Sequence, residues 1–145
     1  RHARRKPVAM TALILGAPGR AQLLKLDAPI SFWGGVDPAT GVVIDVRHPQ
    51  RGACVAGRLL ALPGAIGSSS SSSVLLELTR IGKAPAAILM VEPDAILLLG
   101  LVVAAEMGRP GPPARRISAP DFASLRPGWY GFDHEGRAVL ESFDG

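Results

Sequence analysis

The chain has 145 residues, 48% of them hydrophobic and 19% charged, enough for one domain with a buried core and too apolar for a disordered chain. Its net charge of +4 matches the four Lys/Arg of the first ten residues, RHARRKPVAM, which contain no acid; the body is neutral, and a basic nucleic-acid surface is poorly supported. The single cysteine, Cys54, excludes an internal disulfide and any zinc or iron–sulfur site built by this chain alone, and it fits a reducing cytoplasm.

The 17 glycines and 13 prolines favour a turn-rich α/β or β-rich fold. Residues 1–10 read as a basic, solvated leader without a secretory signal, and 11–145 as a single domain. TALILGAPG (11–19) is a short strand closed by a Pro-Gly turn, and AQLLKLDAPISFWGG continues extended to Gly34-Gly35. In VDPATGVVIDV a turn at Pro38 and Gly41 feeds a strand rich in Val42, Val43, Ile44 and Val46. HPQRG is a turn, and GRLLALPG is a strand stopped by Pro63-Gly64. Strands arriving roughly every 12 residues suggest a small barrel or sandwich.

The period then changes. Val74, Leu75, Leu78 and Ile81 fall at helical spacing, with Glu77 and Arg80 outward and Gly82 as the stop. PAAILMV (85–91) is a buried strand. PDAILLLGLVVAAEMG opens a helix at Pro93-Asp94 and closes it at Gly108; apolar nearly all round, it is expected to be fully buried. Its apolar stretch AILLLGLVVAA has 11 residues, against the ~20 that a membrane span needs. RPGPPARRISAP is a proline-rich loop, and GWYGFDHEGRAVLESF is a hairpin turning at His134-Glu135-Gly136.

Two segments carry candidate chemistry. The six serines Ser68–Ser73 stand between Gly67 and the helix that begins near Val74. A low-complexity linker with one incidental cap is the plain interpretation. A glycine turn and small hydroxyls at a helix N-terminus also make an anion site, because free amides and the helix dipole favour negative charge there. No lysine follows the glycines, which argues against a nucleotide-binding P-loop. The second segment, SFWGGVDPATGVVIDVRHP, combines Phe32 and Trp33 with a Gly-Gly pair, Asp37, Asp45 and His48. Phe32 reads as a core anchor. His2, His48 and His134 are too scattered for a metal set.

Together these segments resemble the small subunit, or swivel domain, of aconitase X. The likeness rests on SFWGGVDPATGVVID, HPQRGACVAGRLLALP, GSSSSSS and APAAILMVEPDAILLLGLVVAAEM, and covers roughly residues 12–110. One departure is Ala65-Ile66, where the family more often has an arginine before Gly-Ser. The resemblance implies a β-rich α/β domain of the swivelling β/β/α type, with a small barrel-like sheet and two main helices. It implies a hydro-lyase acting on a small hydroxy acid, with an iron–sulfur cluster held by a separate large subunit and no cofactor or metal in this chain. Ser68 matches the family's base; Gly67, Ser69 and Ser70 would bind the substrate or the oxyanion. Gly34, Gly35, Asp37 and His48 are further candidates for substrate contact, and Cys54 is structural. Two substrates belong to the family, cis-3-hydroxy-L-proline and a phosphorylated mevalonate. An Ala/Arg/Pro/Gly-rich composition leans towards the first; a phosphate would call on Arg47, Arg51 and Arg58. A non-catalytic anion-binding module is the competing class.

Overall fold

The computed structural model describes residues 13–66, 70–108 and 111–143. The leader assigned to residues 1–10 lies outside them. Among the described residues, seven strands form one sheet in the order β1-β5-β4-β3-β2-β6-β7: β1 (Leu13–Ile14), β2 (Gly19–Lys25), β3 (Leu59–Gly64), β4 (Ala87–Glu92), β5 (Ala114–Arg116), β6 (Gly128–Phe132) and β7 (Ala138–Phe143). The run β5-β4-β3-β2 is parallel, and β1, β6 and β7 join it antiparallel. The first half of β2 pairs with β6 and the second half with β3, so one strand serves two ladders and turns the sheet's corner. The expected β-rich α/β domain with two main helices is what forms.

Those helices are α2 (Ser71–Arg80) and α3 (Ala95–Glu106), with single turns at α1 (Phe32–Gly35) and α4 (Ala119–Ala123). Each main helix crosses between parallel strands, α2 from β3 to β4 and α3 from β4 to β5. Strand alternation then divides the core. Leu60, Leu62, Ile88 and Met90 meet Val74, Leu75, Leu78, Leu97 and Leu101 on the helical side. Leu59, Ala61, Ala87 and Leu89 meet Tyr130, Phe132, Phe122 and Leu125 on the other. A sheet covered on both faces explains why β3 and β4 read as unbroken apolar runs. The helices approach closely at Gly100, where a Cβ would stand 2.5 Å from the Ser72 carbonyl oxygen.

Three expectations need correction. The Val42–Val46 segment is no strand; it makes only isolated bridges, Val36 to Val43 and Val42 to Cys54. Because β2 and β3 are parallel, residues 26–58 must return to the start of the sheet. They do so as a crossover that buries Val36, Val43 and Val55. The proline-rich loop contains a strand: Ala114–Arg116 pairs with β4 and β1, and Ser118 caps α4 by accepting the Asp121 N–H. Finally, α3 is buried on one side only, with Ile96, Leu99, Val102 and Val103 exposed.

The hairpin turn falls as expected. Asp133 Oδ1 accepts the Glu135 and Arg137 amides at 2.9 and 3.0 Å. Chiefly through the Arg137 amide, this holds the carboxyl below its usual range.

Candidate functional site

The carboxyl ends of β2, β3 and β4 lie side by side, and from them leave the crossover loop, the serine tract and α3. Ligands in open α/β sheets bind at this edge, where the helices that follow aim their amino ends. After Gly64 the chain bridges Ala65 to Ile30, and the Ile66 N–H donates to the Ile30 carbonyl at 2.9 Å. Gly67, Ser68 and Ser69 lie outside the described residues. Ile66 before them and Ser70, the N-cap residue of α2, bracket the tract, and no acid stands in the helix's first turn.

Ser71 is fully buried, and its hydroxyl accepts the Trp33 N–H at 3.3 Å. That bond ties α1 to the start of α2. At α1 the backbone has type II turn angles: Trp33 at φ −74°, ψ 113° and Gly34 at φ 83°, ψ −14°. The positive φ needs glycine at position 34, while Phe32 plugs the core and Trp33 stays 60% exposed. At Gly35 the need is space, since a Cβ would meet Ile30 Cγ1 at 3.0 Å. The Gly35 carbonyl accepts the Ile44 and Asp45 amides, which draws the crossover loop against the turn. The structure therefore gathers Gly34, Gly35, Ser70 and Ser71 at one edge, rimmed by exposed Trp33, Ile44 and Ile66.

Asp37 and His48 are engaged within the loop. Asp37 Oδ1 accepts the Ala39 N–H at 2.8 Å, an Asx turn around Pro38. His48 is buried; its Nδ1 accepts the Gln50 N–H at 3.0 Å, so Nε2 carries the proton and donates to the Ala28 carbonyl at 2.9 Å. Gln50 in turn clasps Asp27, its Nε2 donating to Oδ2 and its Oε1 accepting the Asp27 N–H. Both ring nitrogens of His48 thus hold the loop together. Arg58 stands at the amino end of β3, away from the serine tract, and donates to the Gln22 and Leu23 carbonyls.

The residues present do not fit an iron–sulfur cluster. Cys54 is the one cysteine, its Sγ lies 3.3 Å from the Thr40 carbonyl oxygen, and clusters are held by several cysteines. Among the described residues no group of three His, Cys, Asp or Glu could hold a metal ion, and no helix is long and apolar enough to cross a membrane. Two cavities of about 330 and 340 Å³ lie elsewhere, one beside Pro18, Gly82 and Phe132, the other beside Arg115, Asp121 and Arg137.

Sequence reasoning passed over Ser71 and Gln50. Ser71 shares a helix face with Leu75 and Leu78, a spacing that marks it as buried. Nothing local distinguishes Gln50.

The chain matches the family described as the aconitase X swivel domain over residues 9–130. It is 52% identical over 94 residues to a cis-3-hydroxy-L-proline dehydratase of Pseudomonas aeruginosa, covering 65% of this chain and 16% of that protein. It is 41% identical over 91 residues to the phosphomevalonate dehydratase small subunit of Thermococcus onnurineus, covering 63% of this chain and 70% of that one. The chain thus spans about a sixth of the first relatives it matches. In structure it resembles the Thermococcus kodakaraensis aconitase X (holo-form), with a TM-score of 0.72, 30% identity, and coverage of 88% of this chain and 93% of that one.

Proposed function

We infer the function from one premise: the chain belongs to the aconitase X swivel-domain family. We propose that it is the swivel component of a dehydratase, one domain over residues 11–145 that works in the cytoplasm, with cis-3-hydroxy-L-proline as substrate. A large component, whether a separate subunit or the rest of a longer chain, brings the iron–sulfur cluster for which this chain has no ligand set.

The observation that carries this reading is the joining of the two motifs at the sheet edge through Trp33–Ser71 and Ile66–Ile30. Ser68, between Ile66 and Ser70, is the proton acceptor. A serine hydroxyl is a very weak acid, so its conjugate base needs amide donors and a helix N-terminus close by. The first turn of α2 offers both, with no acid there to oppose a negative oxygen. Gly67 allows close backbone approach, Ser69 and Ser70 donate to the oxyanion or the substrate carboxylate, and Gly34, where a Cβ would meet nothing within 4 Å, leaves room for the ligand, while Gly35 fits the turn against Ile30. Asp37 and His48 act by holding the loop.

Two observations favour the hydroxyproline substrate. The Pseudomonas relative carries that name at 52% identity. Of the three arginines that could serve a phosphate, Arg58 is bound to β2 carbonyls at the far end of β3.

The test is to mix the chain with its large component anaerobically and assay both substrates. Turnover of cis-3-hydroxy-L-proline is expected, falling at least ~100-fold in Ser68→Ala with the complex intact. Preference for phosphorylated mevalonate overturns the substrate. Near-normal turnover by Ser68→Ala overturns the base.

A further inference from the structure

The sequence of α3, AILLLGLVVAAE, is apolar on every side, and the fold covers only one. Leu97, Leu98, Leu101 and Ala104 are buried in the core, and Gly100 against α2. Away from them lie Ile96, Leu99, Val102 and Val103, with Met107 just beyond the helix; Leu99 is 51% and Met107 61% exposed. These residues run along about 17 Å of axis, a continuous row rather than scattered apolar surface. A helix apolar all round is stable when covered all round.

We propose that the outer face of α3 is the surface on which the dehydratase's large component docks, through an apolar protein surface of its own. This rests on the function proposed above. The related module forms 16% of the Pseudomonas dehydratase, whereas in Thermococcus onnurineus it is a named small subunit. A module that serves in both settings needs a face that holds the remainder without a covalent link. Position favours α3, which starts at the carboxyl end of β4, on the same sheet edge as the serine tract. A body closing over that edge meets Ile96 first and continues down the row. Between α2 and α3, Leu76, Glu77, Arg80 and Met107 line a notch of about 180 Å³ that can receive a partner's side chain. A lipid surface is disfavoured, because α3 has no Lys or Arg and its one charge is Glu106.

The test uses the purified 145-residue chain and its large component, with association measured by sedimentation velocity and calorimetry. Leu99→Glu alters an outward side chain, and circular dichroism checks its folding; Val102→Lys, on the same face, replaces it if it fails to fold. Binding at least about tenfold weaker, with turnover restored at saturating large component, is the expected result. Unchanged affinity overturns the proposal, as does failure of the wild-type chain to bind. Self-association of the wild-type chain that Leu99→Glu dissolves also overturns it, by assigning the face to a second copy. The two readings separate cleanly. A wild-type complex that forms and is inactive on both substrates defeats the proposed function, while an active complex indifferent to Leu99→Glu defeats this inference alone.

Discussion

Helices α2 and α3 follow adjacent parallel strands, pack on the same sheet face and touch each other, yet they are written differently. One is amphipathic, with Val74, Leu75 and Leu78 inward and the Glu77–Arg80 pair outward at 2.7 Å. The other has no polar face until Glu106. What a helix buries is therefore set by how many bodies surround it. For α2 the sheet and α3 suffice, and the proposed function draws on its amino end. For α3 the domain supplies half the cover, and the proposed docking draws on its side.

That comparison breaks if the inward faces are unequal. Leu75→Ala and Leu101→Ala each remove a fully buried side chain at the helix–sheet interface and are expected to cost about 2–5 kcal/mol. Urea unfolding checks this; a negligible change at Leu101 would mean that α3 contributes little to the fold. Next in size is Gly100→Ala. Its Cβ would press on the Ser72 carbonyl, costing about 1–3 kcal/mol as the helices separate. Displacement of the α2 amino end should also lower turnover in the assembled enzyme, and a variant that keeps both stability and turnover shows the crossing to be looser than described.

The smallest effect is on the outer face of α2. Hydrogen bonding to Arg80, then its charge, holds the Glu77 carboxyl below the usual range. A depressed folded-state value means that the contribution is complete above the ordinary carboxylate range and fades as pH falls through the lowered value. The pair is exposed and screened. Glu77→Gln should lower the thermal midpoint slightly at neutral pH, with the difference closing in acid. A gap that widens in acid contradicts the assignment.

The stretch from β3 to α3 was legible because its periodicity changes with each element and Gly82 and Gly108, both at positive φ, end the helices. The crossover was not. Val42, Val43 and Ile44 are β-formers, and only the parallel pairing of β2 with β3, a long-range fact, makes them a return path. Strand β5 was hidden for the same reason: ARR has no pattern of its own and becomes a strand between β4 and β1. At the site, the glycine pair and the serine tract stood out in the sequence, but the Trp33–Ser71 bond that joins them did not. Nor did the engagement of both His48 nitrogens, because Ala28 lies 20 residues away.

The turn at Trp33 and Gly34 has an optical consequence. The chain has two tryptophans. Trp129 is roofed by the Arg20 guanidinium at 4.7 Å, while Trp33 stands largely in water on a backbone locked by glycine. The two indoles therefore emit from unlike surroundings, and only Trp33 sits on the rim of the serine edge. A partner that closes there, as proposed, is expected to shift the emission of one indole and leave the other as its internal standard.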